Sequence, residues 1–352
     1  MQIKRIALGG IIMTVIMFSG CSTTVQNLAI GEEKTLETGK TEQESVTEKD
    51  INMNEKESFN AESNINDVIH DSAFDDYGRL IFPVDMEIED NLKLKDVSSI
   101  LPWYSEVNTD KTVEIVNYMK NQAMNGEQIF YPIYSEEEMQ ADADKKDTGL
   151  FFFRGNAGAK TTIINAGGGF VYVAGIHDSF PHALELSKKG YNAFALIYRP
   201  GAQTACEDLA RAIAFLHANA EKLQIDMTDY SLWGGSAGAR MAAWLGSYGT
   251  AYFGEKEYPA PAAVIMQYTG LSQVTGMEPP TYACVGTSDG IASYRSMENY
   301  ISQIQQNGPN TKIEVFKGLS HGFGLGEGTV AEGWIDCAIS FWEDNMNALD
   351  KR

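Results

Sequence analysis

A serine flanked by small residues is the strongest chemical signal in the sequence. Gly234-Gly235-Ser236-Ala237-Gly238 follows a predicted strand over residues 229–233 and precedes a predicted helix over residues 237–247. In that setting a G-x-S-x-G pattern places the serine on a cramped strand-to-helix turn, which exposes its hydroxyl. The start of the helix directs free N–H groups to the same place. Ser236 is therefore the candidate nucleophile, and the alternative is a tight turn with a purely structural role.

An aspartate and a histidine follow Ser236 along the chain. Asp289, in the segment Gly286-Thr287-Ser288-Asp289-Gly290, comes after a predicted strand, and His321 comes after the last predicted strand. A serine hydroxyl needs a base to take its proton, and a carboxylate holds the imidazole in the productive tautomer. The order Ser, Asp, His is the one found with this serine motif. The alternatives are a simple turn for Asp289 and a capping histidine for His321.

A run of three glycines supplies candidate donors for an oxyanion. Ala166-Gly167-Gly168-Gly169-Phe170 follows an earlier predicted strand. Successive glycines let the backbone approach a substrate and aim N–H groups at a developing negative charge. The N–H groups of Gly168, Gly169 and Ala237 are the predicted oxyanion donors, and the alternative is a flexible turn.

The remaining histidines and cysteines do not suggest a second site. His177 and His182 could line the site but come too early for the Ser-Asp-His order. His70 lies near the end of a polar N-terminal segment, and His217 lies inside an amphipathic helix. No cysteine and histidine have the spacing of metal ligands, so no metal site is predicted. Three scattered cysteines are no disulfide framework and are predicted to be small core residues: Cys206, Cys284 and Cys337.

Strands and helices alternate through the second half of the chain. Apolar segments of strand length are followed by amphipathic segments of helix length. This alternation predicts the α/β class, with a mostly parallel central sheet flanked by helices on both faces. After an antiparallel start at 127–134 and 150–154, the predicted strands are 161–165, 192–198, 229–233, 262–268, 281–285 and 312–316. The predicted helices are 109–125, 179–189, 206–223, 237–247, 291–306 and 330–347.

The first 21 residues resemble a bacterial lipoprotein signal peptide. Lys4 and Arg5 precede an apolar run over residues 6–18 that is too short to span a bilayer as a mature helix. The following Phe18-Ser19-Gly20-Cys21 resembles a lipobox, which implies cleavage before Cys21 and a diacylglycerol group on its thiol. An ordinary secretory signal is the alternative. Both predict an extracytoplasmic protein, either anchored to a membrane at the cell surface or periplasmic face, or secreted.

Composition divides the rest of the chain. Residues 22–72 are rich in polar and charged residues, with no aromatic residue between Phe18 and Phe59, and are predicted to form an acidic disordered tether. Residues 73–126 are predicted to form an N-terminal extension with a helix, and residues 127–352 are predicted to form the catalytic domain. The net charge of −21 argues against a nucleic-acid partner, since binding phosphates needs a basic face. The sequence makes no prediction of oligomeric state.

Together these motifs resemble the α/β-hydrolase superfamily, in its acetyl-esterase, hormone-sensitive-lipase-like and carbohydrate-esterase branch. The resemblance spans residues 127–352 and includes Tyr198-Arg199-Pro200 and Glu207-Asp208-Leu209. It implies a serine esterase that needs no metal or organic cofactor. The branch usually has His where this chain has Ala166, and often has Asp where it has Gly235.

The resemblance leaves the substrate and two alternatives open. Short-acyl or carbohydrate-linked esters suit a tethered extracytoplasmic enzyme, and Tyr172 and Trp244 are candidate sugar-stacking residues that fit a core or rim position better. One alternative is a serine peptidase of the same fold, which usually has a glycine where this chain has Ala239. The other is a catalytically idle surface-binding lipoprotein.

Overall fold

A single eight-stranded sheet organises the molecule. The computed structural model describes residues 58–346. The strands are β1 (Phe130–Pro132), β2 (Gly149–Phe153), β3 (Lys160–Asn165), β4 (Asn192–Ile197), β5 (Asp226–Gly235), β6 (Ala263–Gln267), β7 (Thr281–Gly286) and β8 (Thr311–Phe316). Their order is β1-β2-β4-β3-β5-β6-β7-β8. Strand β2 pairs antiparallel with both of its neighbours, β1 and β4, and all the other pairs are parallel.

Burial of the central strands shows that the sheet is covered on both faces. Successive side chains of a strand point to opposite faces, yet every residue of β3 after Lys160 and every residue of β4 is buried. The α-helices of the described residues are α1 (Ile65–Ile69), α2 (Thr109–Met124), α3 (Glu136–Ala141), α4 (Gly175–Asp178), α5 (Phe180–Lys188), α6 (Ala202–Leu223), α7 (Ala237–Tyr248), α8 (Tyr294–Gln306) and α9 (Trp334–Asn345).

Local sequence signals explain where several helices begin. The Asn108 side chain accepts the N–H of Lys111 at the start of α2, and Ser135 and Glu138 form a reciprocal capping box on α3. The long helix α6 buries an apolar stripe that includes Leu209, Ile213 and Leu216.

Most predicted elements are confirmed, with ends shifted by a few residues. The largest differences are in β1, which is only three residues long, in α6, which begins at Ala202 rather than at residue 206, and in α9, which begins at Trp334 rather than at residue 330. Proline ends β1 because Pro132 has no N–H to donate to a neighbouring strand. The short helices α3 and α4 were not predicted, since six and four residues carry too little periodicity.

The predicted tether extends too far into the chain. Residues 58–72 fall within the predicted tether, but Ile65 and Val68 in α1 are fully buried. Lys120 on α2 also pairs with Asp71 at 2.8 Å. Ile65 and Val68 lie one helical turn apart and therefore pack into the hydrophobic core together. The segment is docked by these two residues although its average composition is polar. The signal segment, Cys21 and residues 22–57 lie outside the described residues.

The structure also places the three later cysteines. Cys206 and Cys284 are buried and Cys337 is half-buried, all as free thiols. Among residues 58–346, no helix is both long and apolar enough to cross a membrane.

Candidate active site

Ser236 lies at the turn between β5 and α7. Its backbone has φ 50° and ψ −113°, a strained conformation for a residue other than glycine. The strain is imposed because Ser236 joins the last residue of β5, Gly235, directly to the first residue of α7, Ala237. Such a turn holds the hydroxyl out at the carboxyl end of the sheet.

The motif glycines are required by close backbone contacts. A Cβ at Gly234 would overlap the backbone of Gly238, and a Cβ at Gly238 would overlap the carbonyl group of Asn165 at the end of β3. Helix α7 therefore starts against β3 and β5 without room for a methyl group. The pattern of small residues around Ser236 reflects this packing.

The three side chains proposed for proton transfer lie in one hydrogen-bonded row. His321 Nε2 is 3.1 Å from Ser236 Oγ, and His321 Nδ1 is 2.8 Å from Asp289 Oδ2. With the Nδ1 proton donated to the carboxylate, Nε2 is free to accept the serine proton. The imidazole is 6% exposed, whereas Ser236 is partly exposed and accessible to a substrate.

Asp289 is held by its own loop. The Asp289 side chain is fully buried. Its second oxygen, Oδ1, accepts the N–H groups of Ile291 at 2.8 Å and Ala292 at 2.7 Å. Because both carboxylate oxygens are bonded, the side chain has one orientation, and that orientation faces His321.

The glycine run passes next to Ser236. A Cβ added to Gly167 would lie 2.8 Å from the Ser236 Cβ, and Gly168 and Gly169 have φ values of +124° and +64°. The carbonyl groups of Gly167 and Gly168 accept N–H groups from within the same loop. The N–H groups of Gly168, Gly169 and Ala237 have no hydrogen-bond partner among the described residues. These three groups are thus available to an oxygen of a bound substrate.

The loop that carries His321 is anchored from several sides. The Ser105 hydroxyl donates to the His321 carbonyl oxygen at 2.8 Å, and the Ser105 N–H donates to the Gly322 carbonyl oxygen at 3.2 Å. Gln267, at the end of β6, donates to the Gly324 carbonyl oxygen at 2.9 Å. The segment before α2, which has no predicted role, therefore positions the imidazole.

Sequence reasoning missed Asp178, a buried carboxylate beside the serine. Asp178 is the last residue of α4 and is 1% exposed. Its Oδ2 accepts the Gly167 N–H at 2.6 Å and the Tyr104 hydroxyl at 3.0 Å, and its Oδ1 accepts the Tyr268 hydroxyl. Burial raises the pKa of Asp178 to about 6, and these hydrogen bonds oppose that rise. The carboxyl is therefore ionised at neutral pH.

Two buried histidines also border the site. His177 Nε2 lies 2.9 Å from the Gly322 carbonyl oxygen, and burial lowers the pKa of His177 to about 4. Burial, together with the neighbouring His177, lowers the pKa of His182 to about 3. Both are therefore neutral at pH 7. His70 is exposed, and His217 stacks on Tyr258 far along α6.

The aromatic surface near the site is Trp103, which the sequence did not single out. Its indole is 42% exposed, stacks on Tyr172 at 5.4 Å, and lies against Gly169. Tyr172 is 1% exposed and belongs to the core. Trp244 is half-buried and stacks on Phe170 at 6.1 Å, which is a rim position.

No cluster that could bind a metal ion occurs in the part of the chain that the structure describes. Within residues 58–346, no group of three or more His, Cys, Asp or Glu side chains is arranged to hold a cation.

One family model matches part of the sequence. A family model described as BD-FAE matches residues 154–281, which include the glycine run and Ser236 but not Asp289 or His321. No curated protein matches the sequence.

Several solved structures share the fold. The acetyl ester-xyloside bifunctional hydrolase from Caldicellulosiruptor lactoaceticus superposes with a TM-score of 0.54 at 19% identity, over 61% of this chain and 95% of that one. Esterase 2 from Thermogutta terrifontis gives TM-scores of 0.52 with propionate bound and 0.51 in its apo form. Both of these are 18% identical and cover 61% of this chain and 93% of that chain. Likeness at this identity establishes the architecture, and this chain therefore has the α/β-hydrolase fold.

Proposed function

We propose that this protein is a serine esterase that hydrolyses carboxylic esters. The observation that carries the proposal is the hydrogen-bonded row from Asp289 through His321 to Ser236, with distances of 2.8 and 3.1 Å. The unpartnered N–H groups beside the serine supply the second requirement, a site for the oxyanion.

The reaction would proceed through an acyl-enzyme. His321 Nε2 takes the proton of Ser236 as the hydroxyl oxygen attacks the ester carbonyl. The Gly168, Gly169 and Ala237 N–H groups stabilise the negative charge on the carbonyl oxygen. His321 then gives its proton to the departing alcohol. Water attacks the acyl group by the same route in reverse, releasing the acid and restoring Ser236.

Short-acyl or carbohydrate-linked esters are the substrates we favour. The structures that share the fold include an esterase with bound propionate and a bifunctional acetyl ester and xyloside hydrolase. In this chain the exposed Trp103 lies against Gly169, so an aromatic surface flanks the proposed oxyanion site. Flat apolar faces of sugars or aryl groups pack well on an exposed indole.

Hydrolysis of p-nitrophenyl acetate by matched serine variants tests the reaction. Ser236→Ala should reduce kcat by about 10⁴-fold or more, since the attacking oxygen is removed. Ser272→Ala, at an exposed serine of the same domain, is the control and should retain full activity. Retained hydrolysis in Ser236→Ala would overturn the proposal. Wild-type protein that cleaves peptides but no ester would favour the peptidase alternative, and wild-type protein without any turnover would favour the idle-domain alternative.

A substrate panel tests the proposed substrate class. We expect acetylated xylo-oligosaccharides to be hydrolysed with a higher kcat/KM than long-chain p-nitrophenyl esters. Trp103→Ala should raise KM for the oligosaccharide while changing KM for p-nitrophenyl acetate little. An equal change in KM for both substrates would show that Trp103 does not contact the sugar.

We also propose that the protein is a membrane-anchored extracytoplasmic lipoprotein modified at Cys21. The support is the sequence of the first 21 residues alone. Metabolic labelling with an alkyne fatty acid should mark the wild-type protein, and Cys21→Ala should abolish the label and release the protein from the membrane fraction. A labelled Cys21→Ala variant would contradict lipidation at this position.

A further inference from the structure

Asp178 is a buried carboxylate that the proposed reaction does not use directly. It is 1% exposed, and an ionised group in such a position is costly unless its oxygens are bonded. Here three donors meet it: the Gly167 N–H and the hydroxyls of Tyr104 and Tyr268. Three separate chain segments therefore converge on one side chain.

The carboxylate fills the space beside the residue that precedes the serine. If a Cβ is built on Gly235, its three nearest atoms all belong to the Asp178 carboxyl group, and its oxygens would overlap the new atom. The backbone of Gly235 is not in the left-handed region, so a larger residue is opposed by this side chain rather than by the backbone conformation. Asp178 and Gly235 are thus sterically complementary.

This complementarity explains one departure from the esterases that the chain resembles. Many of them carry Asp directly before the serine, where this chain has Gly235. The volume that such a side chain would occupy is taken here by a carboxylate from α4.

The carboxylate also bonds the peptide group that directly precedes the proposed oxyanion donors. In a trans peptide the C=O of one residue and the N–H of the next point in opposite directions. The Gly167 carbonyl accepts the Ala174 N–H at 3.0 Å, and the Gly168 carbonyl accepts the Val171 N–H at 3.0 Å. The N–H groups of Gly168 and Gly169 must therefore point away from the interior of the loop. The 2.6 Å bond from the Gly167 N–H to Asp178 holds the first peptide of this series in place.

We propose that Asp178 is a positioning residue, which supplies from α4 the carboxylate that orients the oxyanion loop beside Ser236. The inference rests on the proposed esterase function. Asp178→Asn keeps the volume but replaces one accepting oxygen with an N–H₂ donor, so it cannot satisfy all three donors. We expect kcat for p-nitrophenyl acetate to fall about tenfold to hundredfold, which is less than the loss on removing an oxyanion donor outright, with KM changed little.

A double-mutant cycle between Asp178 and Gly235 gives the decisive test. Gly235→Asp alone should lower kcat strongly, because two carboxylates would compete for one space. In the Asp178→Ala background the same change should raise kcat, since the new carboxylate enters the vacated space. A purely structural role for Asp178 does not predict such a reversal of sign. Asp336→Ala, at an exposed aspartate of α9, is the matched control and should have wild-type kcat.

The outcomes separate this inference from the proposed function. Thermal unfolding of each variant is measured beside kcat, and if Asp178→Ala does not fold, the cycle is carried out with Asp178→Ser, whose shorter side chain also vacates the space beside Gly235. An Asp178 variant within twofold of wild-type kcat, or a Gly235→Asp change equally harmful in both backgrounds, would overturn the positioning role. If Ser236→Ala retains hydrolysis, the esterase proposal itself fails, whatever the Asp178 variants show.

Discussion

The Nε2 atom of His177 lies 2.9 Å from the carbonyl oxygen of Gly322, the residue directly after His321. Because a carbonyl oxygen can only accept, the Nε2–H of His177 donates this bond, while the N–H of Ser105, in the segment before α2, donates to the same oxygen. The loop that presents the imidazole to Ser236 is therefore fixed by residues that take no part in proton transfer.

Removing His177 should impair the reaction through this loop. In His177→Ala the Gly322 carbonyl loses one of its two donors, so His321 is held less firmly against Ser236. We expect kcat to fall about tenfold, since small misplacements of a catalytic group are costly. His70→Ala, at an exposed histidine, is the control. If steady-state kinetics give a wild-type kcat for His177→Ala, the hydrogen bonds from Ser105 and Gln267 are enough to hold the His321 loop in place.

Asp289→Asn should be one of the most damaging conservative changes. The amide can still accept the N–H groups of Ile291 and Ala292, so the loop and the thermal stability should be retained. An amide N–H₂ facing His321 would favour the tautomer with the proton on Nε2, which cannot accept the serine proton. We expect kcat to fall about 10³- to 10⁴-fold. A loss of less than tenfold in a folded variant would contradict the orienting role of Asp289.

A methyl group at Gly238 should destabilise the domain. The Cβ of Gly238→Ala would overlap the Asn165 carbonyl, a backbone group that cannot move without disturbing β3. We expect the free energy of unfolding to fall by at least about 3 kcal/mol. Gly290→Ala is the matched control because no atom lies within 4 Å of the added Cβ, and its change should be within about 0.5 kcal/mol. Urea unfolding compares the two.

Acid should destabilise the protein through its buried histidines. Burial lowers the pKa of His177 from 6.5 to about 4 and that of His182 to about 3, so the unfolded chain binds more protons below pH 6.5. Each histidine then lowers the free energy of unfolding by about 1.4 kcal/mol per pH unit as the pH falls from 6 to 4. Asp178 acts in the opposite direction because its pKa is raised from 3.8 to about 6. Its effect offsets that of one histidine, so the net loss of unfolding free energy corresponds to the other histidine.

The variant His177→Gln isolates this effect. The difference in unfolding free energy between wild type and variant should shrink by about 1.4 kcal/mol per pH unit as the pH falls from 6 to 4.5, because the variant lacks one buried imidazole. A constant difference over this range would mean that His177 is not buried in its neutral form.

The sheet and the proposed catalytic row were predictable from the sequence for one reason. Apolar strands alternate with amphipathic helices, and Ser236, Asp289 and His321 each follow a predicted strand that ends at the same edge of a parallel sheet. Chain order then suggested which acid and which base would meet the serine. The catalytic roles themselves stay a prediction until the variants are measured.

The supporting contacts could not be predicted because they join distant segments without a local pattern. Ser105 bonds a loop more than 200 residues further along the chain, and nothing near it in the sequence indicates this. Asp178 looks like an ordinary polar residue in a short helix, and the one available clue was Gly235 at a position where similar esterases often have Asp. The burial of Ile65 and Val68 was not predicted, because the average composition of residues 22–72 is polar and two apolar residues change that average little.

The most direct test of the central claim is covalent labelling of Ser236 by a fluorophosphonate, with the modified peptide identified by mass spectrometry. We predict one adduct, located on Ser236, and a labelling rate that falls at least about a hundredfold in His321→Ala because the hydroxyl has lost its base. An adduct on another residue, or labelling of His321→Ala at the wild-type rate, would contradict the proposed catalytic row.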